Sequence, residues 1–269
     1  MMEKPKIALT IAGTDPSGGA GAMADLKSFH SCGVYGMAAV TSIVAQNSMG
    51  VQHIHNLEAS WLEEQLASVF NDEMPHALKT GMIPTPEMME VIASYLKKID
   101  IPYVIDPVMV AKSGDSLMDQ KVRNRLKETL LPYADVATPN VPEAEEIAGV
   151  TIDSVEKIHQ VGRFFIHDIG SKGVIIKGGH LEGDAIDHLF TQEGHYEFKS
   201  ERFPTQHTHG TGCTFSAVIT AELAKGKSVY DAVAKAKKYI SLAIQHTPEI
   251  GKGRGPVNHF AYEKLNGWD

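Results

Sequence analysis

Short apolar runs alternate with longer amphipathic stretches along nearly the whole chain, and this alternation limits the possible folds more than any other feature. Apolar, β-branched runs of about five to seven residues predict buried strands, and apolar residues at helical spacing predict helices between them. The predicted strands cover residues 7–13, 38–45, 77–82, 103–110, 135–139 and 173–177. The predicted helices cover residues 21–32, 59–71, 86–98, 119–131, 153–169, 212–225 and 228–246, with a short helix from Pro142.

Repetition of strand and helix is typical of α/β proteins, so we expect a three-layer α/β/α sandwich with a mainly parallel central sheet and helices on both faces. Residues 184–203 alternate apolar and polar around Glu193-Gly194, which predicts a hairpin. Asp153 is expected to cap the helix that follows it. His53 and His55 alternate on a further predicted strand. With no linker, internal repeat or low-complexity stretch, the sequence predicts a single domain over residues 1–269.

The composition excludes several classes of protein. The 269 residues are 43% hydrophobic and 22% charged, the balance of a globular protein in water. A net charge of −8 without a run of Lys or Arg argues against a nucleic-acid partner. No apolar stretch approaches the ~20 residues of a membrane span, and the first apolar run ends too early for a signal peptide. Cys32 and Cys213 are expected to be free thiols, so we predict a cytoplasmic protein.

Three residues, Gly210, Thr211 and Gly212, lead directly into a predicted helix. The free backbone N–H groups and the dipole at a helix start bind anions, most often phosphate. Cys213 follows in the position where a thiol ionises most easily, which makes it a candidate catalytic group. On this motif alone, an ordinary tight turn before a helix is an equal alternative. We expect His209 to pack against the turn.

Polar residues follow several predicted strands, where ligands bind in open parallel sheets. Lys177 can contact a phosphate as a point charge, or be a solvated turn residue. Asp106 ends an apolar strand, and a buried carboxylate requires a cation, a donor or a metal. Asn140 and Glu143, three residues apart, offer the oxygen ligands that Mg²⁺ prefers, or simply a helix cap. Because no histidine motif has metal-ligand spacing, we expect no histidine-bound transition metal.

These parts together predict a kinase. Phosphoryl transfer needs little besides positioning and charge neutralisation. The sequence contains no Walker motif, dinucleotide fingerprint or nucleophilic serine elbow that would indicate another chemistry. We expect ATP to contact Lys177, Asn140 and Thr211, and Mg²⁺ to be held by Asp106 and Glu143.

A family resemblance extends in order from about residue 7 to residue 260. The segments that carry it are AGTDPSGGAG, ADLKSF, YGMAAVTSIVAQN, KTGM, VIDPVM, AKSGDSL, TPNVPEAEEI, IIKGGH, HTHGTGCTFSAVITAELAKG and GKGRGPVNHF. The chain resembles bacterial hydroxymethylpyrimidine/phosphomethylpyrimidine kinases of the ribokinase superfamily, which serve thiamine biosynthesis. The resemblance implies a ribokinase-like fold and two reactions with ATP. The first phosphorylates the hydroxymethyl group of 4-amino-5-hydroxymethyl-2-methylpyrimidine, and the second converts the monophosphate to the diphosphate.

The resemblance also implies roles for individual residues. Those expected to contact the pyrimidine are Gly13, Asp25, Gln46, Met82 and Val108. Gln46 offers a donor and an acceptor to an aminopyrimidine. Many ribokinase relatives have Asp as general base at the end of the anion motif, where this chain has Cys213. Cys213 is therefore expected to take the alcohol proton in the first step. The second step needs less help, since a phosphate monoester has a second pKa near ~6.

Two other functions fit parts of the same pattern. A pyridoxine or pyridoxal kinase of the same branch has the same frame, but pyridoxine lacks the exocyclic amine that Gln46 would pair with. A binding regulator without catalysis would lack Cys213, Lys177 or the acidic pair, all of which are present. Relatives are usually dimers, which implies a homodimer with residues 38–45 near its interface. Residues 111–117 are expected to form a mobile flap over the site.

Overall fold

A computed structural model describes residues 4–109, 120–178 and 185–266. The strands are β1 (Ile7–Ala12), β2 (Tyr35–Val40), β3 (Ser42–Asn47), β4 (Gly50–Asn56), β5 (Ala77–Thr80), β6 (Tyr103–Ile105), β7 (Val136–Ala137), β8 (Gly173–Ile176), β9 (Ala185–Thr191) and β10 (His195–Ser200). The helices are α1 (Gly21–Ser31), α2 (Ala59–Asp72), α3 (Pro86–Leu96), α4 (Gln120–Thr129), α5 (Val141–Ala148), α6 (Val155–Phe164), α7 (Thr211–Ala224), α8 (Val229–Gln245) and α9 (Ala261–Asn266).

The central sheet has eight strands in the order β10-β9-β8-β7-β6-β5-β1-β2. The strands from β8 to β2 in this order pair in parallel, while β8/β9 and β9/β10 pair in antiparallel. The predicted hairpin is confirmed, and Thr191 N donates to the Gly194 carbonyl across its turn at 2.9 Å. The prediction of a mainly parallel sheet is therefore confirmed.

Helices cover both faces of this sheet. Successive side chains of a strand point to opposite faces, and the strand residues divide between two cores accordingly. Leu9 belongs to a core shared with residues of α2 to α6. Ala8, its neighbour on β1, belongs to a second core shared with residues of α1, α7 and α8. The predicted three-layer arrangement is confirmed.

The prediction of one strand over residues 38–45 is wrong. β2 ends at Val40 in the main sheet, and β3 begins at Ser42 in a separate two-stranded sheet with β4. Between them, Thr41 N donates to the Ala12 carbonyl at 3.0 Å and its hydroxyl donates to the Met82 carbonyl at 2.8 Å. These bonds fix the point where the chain leaves the main sheet. The apolar run continues across that point, so it gave no sign of the break. The strand predicted around His53 is β4 and is confirmed.

Some predicted boundaries also differ from the structure. Ser154, not Asp153, caps α6, because its hydroxyl accepts the Lys157 N–H at 3.3 Å. A π-helical turn over Phe165–Ile169 follows α6. β6 ends before Asp106, since Pro107 has no N–H for the sheet. The flap predicted for residues 111–117 lies outside the described residues. In the parts of the chain that the structure describes, no helix is long and apolar enough to cross a bilayer.

Candidate active site

The carboxyl ends of the parallel strands open into a cavity of about 880 Å³. Every residue that the sequence suggested for the site lines this cavity: Gly13, Asp25, Gln46, Met82, Asp106, Val108, Asn140, Glu143, Lys177, Gly210, Thr211, Gly212 and Cys213. The structure thus brings together groups that are up to two hundred residues apart in the sequence. Their individual roles stay predictions.

The turn before α7 depends on glycine. Gly210 has φ 78° and ψ 9°, in the left-handed region that favours glycine. A side chain there would also collide with the Gly19 carbonyl. α7 begins at the next residue, Thr211, whose hydroxyl donates to the Thr208 carbonyl at 2.7 Å. Since the first amides of a helix have no partner within it, this end of α7 is an anion-binding candidate on the cavity wall.

Lys177 and Asp106 lie against this helix start. The Lys177 ammonium donates to Asp106 Oδ1 at 3.3 Å, and the Thr138 hydroxyl donates to the same oxygen at 3.1 Å. A Cβ atom on Gly212 would lie 3.4 Å from Lys177 Nζ and 3.2 Å from Asp106 Oδ2. Burial opposes the charge on Lys177, but Asp106 and Glu143 raise its pKa overall. A positive charge is therefore held beside the first turn of α7.

Asn140 and Glu143 form a capping box at the start of α5. Asn140 Oδ1 accepts the Glu143 N–H, and Glu143 Oε2 accepts the Asn140 N–H, both at 2.9 Å. The helix-cap alternative is therefore confirmed. Burial raises the pKa of Glu143 to about 7, with Lys177 lowering it and Asp106 raising it further. A hard divalent cation would offset the effect of the Asp106 charge on Glu143, so the oxygens of these two buried carboxylates still suit Mg²⁺.

Asp25 and Lys79 form an ion pair in which neither side chain is exposed. Lys79 Nζ donates to Asp25 Oδ1 at 2.7 Å and to the Cys213 carbonyl at 3.4 Å, and the Thr10 hydroxyl donates to Asp25 Oδ2 at 2.6 Å. Burial raises the pKa of Asp25 overall, although Lys79 and Thr10 oppose this. The sequence placed Lys79 among the polar residues at the strand ends without a role, and it gave no sign of Thr10 as a partner of Asp25. Both are polar residues within otherwise apolar strands.

The expectation that Cys213 ionises easily is wrong. The residue is partly buried at the start of α7. Burial and the charge of Asp25 raise the pKa of the Cys213 thiol to about 12, although Lys79 acts in the opposite direction. The thiol therefore keeps its proton at neutral pH, because burial and a neighbouring carboxylate disfavour the thiolate.

The residues suggested for the pyrimidine line the part of the cavity near β1 and β3. A Cβ atom on Gly13 would lie 2.7 Å from Met82 Cε, so glycine is needed for the side chain of Met82 to lie over this backbone. A β-bulge immediately precedes Gln46, whose Nε2 donates to the Thr14 carbonyl at 3.3 Å. Val108 also lines the cavity. This arrangement provides the cavity-lining backbone of Gly13, a thioether and a side-chain amide for a flat, polar-edged ligand.

Asp15 links the loop after β1 to the turn before α7. It is fully buried and accepts hydrogen bonds from the Ser17 hydroxyl at 2.7 Å and the Ala20 N–H at 2.8 Å. His209 Nε2 lies 2.7 Å from Asp15 Oδ2. Burial acts to raise the pKa of Asp15, but hydrogen bonds with His209 and Ser17 lower it overall. The ring of His209, the residue before the turn, thus contacts Asp15, which the sequence had placed among the polar residues at strand ends without a role.

A histidine cluster that sequence reasoning did not anticipate lies on the β9-β10 hairpin. His188 Nδ1 and His195 Nε2 are 3.1 Å apart, and Glu197 Oε1 lies 3.7 Å from His188 Nδ1. The two ring planes differ by 9° and their centroids are 5.4 Å apart. The nitrogens therefore point at each other, as in a ring-to-ring hydrogen bond. Burial lowers the pKa of both rings, which favours this neutral pair.

Comparison with known proteins assigns the chain to a family. A family model described as phosphomethylpyrimidine kinase matches residues 15–258. The chain belongs to the phosphomethylpyrimidine kinase family. The matched span contains every suggested site residue except Gly13. The chain is therefore a kinase by family.

Individual relatives agree with this assignment. The chain is 71% identical over 271 residues to the hydroxymethylpyrimidine/phosphomethylpyrimidine kinase of Staphylococcus aureus, covering 100% of this chain and 98% of that protein. The Bacillus subtilis pyridoxal kinase in complex with ADP superposes with a TM-score of 0.90 at 40% identity, covering 98% of this chain and 100% of the other. The Clostridium difficile phosphomethylpyrimidine kinase gives 0.80 at 42% identity, covering 89% and 99%. These likenesses confirm the predicted ribokinase-like fold.

Proposed function

We propose that the chain transfers a phosphoryl group from ATP to the hydroxymethyl group of 4-amino-5-hydroxymethyl-2-methylpyrimidine, and a second one to the resulting monophosphate, in thiamine biosynthesis. One observation carries the proposal: a single cavity joins an end suited to a flat aminopyrimidine and an end suited to a polyphosphate. Gln46 marks the first end, and Lys177 and Gly210 mark the second. Membership of the phosphomethylpyrimidine kinase family supports the same substrate class.

At the pyrimidine end, the groups match the functional groups of the substrate. The Gln46 amide can donate to a ring nitrogen and accept from the exocyclic amine. Asp25 accepts a further hydrogen bond. Met82 and Val108 contact the two faces of the ring by dispersion. Gly13 lets the ring approach the backbone.

At the nucleotide end, Lys177, Asn140 and Thr211 contact ATP, and Asp106 with Glu143 would hold Mg²⁺. When bound, Mg²⁺ neutralises charge on the phosphates. The first amides of α7 stabilise the transferring group, since they are aligned before the reaction begins. The ADP complex of the B. subtilis pyridoxal kinase supports a nucleotide in this fold.

The proton of the substrate alcohol leaves toward Cys213. The alcohol oxygen bonds to the γ-phosphorus as the bond from that phosphorus to ADP breaks. Because the Cys213 thiol is protonated, it passes its own proton to Asp25 as it accepts the proton of the alcohol. Lys79 stabilises the Asp25 carboxylate before this transfer. In the second step the nucleophile is an already ionised phosphate, so no base is required.

Pyridoxal phosphorylation is the second candidate activity. The B. subtilis pyridoxal kinase has the same fold as this chain, with a TM-score of 0.90, and this similarity supports pyridoxal phosphorylation as the second candidate. Pyridoxal lacks the exocyclic amine, so Gln46 would be left with an unmatched polar group. Such a group costs about 1–3 kcal/mol, which corresponds to a roughly ten- to hundredfold preference for the aminopyrimidine.

A coupled ADP-release assay with both substrates tests the proposal. We expect kcat/KM to be at least about tenfold higher for the aminopyrimidine than for pyridoxal, for the reason just given. Gln46→Leu is expected to narrow this ratio. A higher kcat/KM for pyridoxal would favour the second candidate, and no turnover of either substrate would contradict both.

The assembly and compartment are also proposed. We infer a cytoplasmic homodimer in which the outer face of β3 contributes to the interface. Ile43 on this strand is 56% exposed, so this face offers an apolar side chain for a partner to cover. Sedimentation equilibrium is expected to give twice the chain mass. Ile43→Lys is expected to shift it toward the monomer.

A further inference from the structure

The turn at Lys177 and Gly178, directly after β8, brings Lys177 to the cavity wall. Lys177 N donates to the Pro139 carbonyl at 2.9 Å, which fixes the start of the turn. The Lys177 side chain is 17% exposed, and its ammonium is 3.3 Å from Asp106, a long ion-pair contact. Its position therefore depends mainly on its backbone and only weakly on its own ion pair.

Asp187 of β9 holds the next residue of this turn. Asp187 Oδ1 accepts the Gly178 N–H at 3.0 Å, and Asp187 is only 6% exposed. A side chain on Gly178 would collide with the Ile186 carbonyl, so the turn lies directly on β9. A hydrogen bond to a buried charged acceptor contributes more than a neutral one. Asp187 is thus the main polar restraint on the residue after Lys177.

Lys237 of α8 keeps Asp187 in place. Its ammonium donates to Asp187 Oδ2 at 2.8 Å and to the Ala185 carbonyl at 3.0 Å. Lys237 is 8% exposed. The charge of Asp187 is therefore balanced by a cation from the helix layer, and the nucleotide end of the cavity is linked to α8.

We propose that Asp187 and Lys237 are positioning residues that hold the Lys177–Gly178 turn, and with it the Lys177 ammonium, in place for the nucleotide phosphates. This inference rests on the proposed role of Lys177 as a phosphate contact. It assigns to the pair no contact with the phosphates themselves. The effect of removing Asp187 should consequently pass through Lys177.

A double-mutant cycle on ADP binding tests this, because it needs neither the pyrimidine nor turnover. ADP affinity is measured by calorimetry for the wild type, Asp187→Ala, Lys177→Met and the double variant. We expect Asp187→Ala to weaken ADP binding about tenfold when Lys177 is present, and less than about twofold in the Lys177→Met protein. In the double variant Asp187→Asn/Lys237→Met, the asparagine still accepts the Gly178 N–H and no unpaired charge is buried. Its ADP affinity should therefore lie within about threefold of the wild-type value. Lys238→Met, on the exposed face of α8, is the matched control and should bind ADP like wild type.

Each other outcome is informative. Equal losses from Asp187→Ala in both backgrounds would overturn the inference, since Asp187 would then act independently of Lys177. An unchanged ADP affinity in Asp187→Ala would also overturn it. If Lys177→Met binds ADP as tightly as wild type, the proposed phosphate role of Lys177 fails and the inference falls with it. Thermal unfolding of each variant separates loss of the fold from loss of the site. Asp187→Asn alone provides a milder variant should Asp187→Ala fail to fold.

Discussion

Two of the lysine–aspartate pairs at the strand-end cavity differ in burial and in distance. Lys79 and Asp25 are both fully buried with a contact of 2.7 Å. Lys177 and Asp106 are 3.3 Å apart, and the Lys177 side chain is 17% exposed. Asp25 and Asp106 both line the cavity. The two pairs thus share residue types and differ in how freely the lysine can change partner.

Because of this difference, we expect the two ion pairs to have different roles. A short, fully buried pair is costly to break, because either charge left alone would be desolvated without compensation. Lys79 therefore stabilises the fold, and it places a positive charge beside Cys213. A longer pair at the cavity wall can be exchanged for a phosphate at little cost, since a charge-assisted bond replaces another. We therefore expect Lys177, and not Lys79, to contact the nucleotide.

Lys79→Met is expected to have the largest effect. It leaves Asp25 buried without its cation, so we expect the free energy of unfolding to fall by about 3–5 kcal/mol. Urea unfolding followed by circular dichroism measures this. The double variant Lys79→Met/Asp25→Asn removes both charges and should regain at least half of the loss. If Lys79→Met lowers stability by less than about 1 kcal/mol, the two pairs do not differ as described.

Lys177→Met is expected to affect catalysis instead. Because the contact with Asp106 is long and Asp106 keeps the Thr138 hydroxyl as a donor, we expect the free energy of unfolding to fall by less than it does in Lys79→Met. The kcat/KM for ATP should fall about 10²- to 10³-fold, the size expected for losing one preorganised charge. Steady-state kinetics and urea unfolding on the same sample provide the comparison. Loss of stability without loss of ATP kinetics would reverse the two assignments.

Cys213→Ala separates the two phosphorylation steps. We expect the first phosphorylation to slow by about a hundredfold, since a proton must leave the alcohol, and the second to slow much less, since a phosphate needs no base. Single-turnover assays started from the alcohol and from the monophosphate measure the two steps. Cys32→Ala, which alters the other cysteine of the chain away from the cavity, is the control. Equal loss in both steps would exclude Cys213 as the proton acceptor.

Glu143→Gln tests how the buried carboxylate at the nucleotide end affects stability as pH changes. Burial raises the pKa of Glu143 from 4.5 in the unfolded chain to about 7. The folded state then binds more protons than the unfolded state between these pH values, so the wild type loses stability as pH rises through this window. Glutamine keeps an acceptor for the Asn140 N–H but cannot ionise, so the variant should lack this part of the loss, on the order of 2 kcal/mol. Unfolding measured from pH 4.5 to 7.5 checks it. Parallel curves for the two proteins would show that Glu143 is not perturbed.

The sequence predicted most of the architecture because the strand and helix periods are strong and regular. Position at a strand end was enough to find Asp106, Asn140 and Lys177, since parallel strands present their carboxyl ends on one edge. The break at Thr41 was not predictable from periodicity, because side-chain and backbone hydrogen bonds to distant residues cause it.

The contacts and the pKa shift that the sequence did not predict have one physical cause in common, namely that distant parts of the chain meet only in the fold. Thr10 and Lys79 lie side by side only because β1 and β5 pair in a particular register. The sequence of neither strand alone predicts that register. The ionisation of Cys213 was misjudged because a helix start favours the thiolate, whereas the burial and the carboxylate that oppose it come from the folded chain. Asp187 and Lys237 likewise act through a contact between β9 and α8.

The proposed function requires the enzyme to phosphorylate an aminopyrimidine twice. Phosphorus NMR of the wild-type enzyme with ATP, Mg²⁺ and 4-amino-5-hydroxymethyl-2-methylpyrimidine follows both transfers in one sample. We expect a monoester signal that rises first and then declines as the paired signals of a pyrimidine diphosphate grow. A reaction in which ATP is not consumed, or in which phosphate is released without any phosphorylated pyrimidine, would contradict the account.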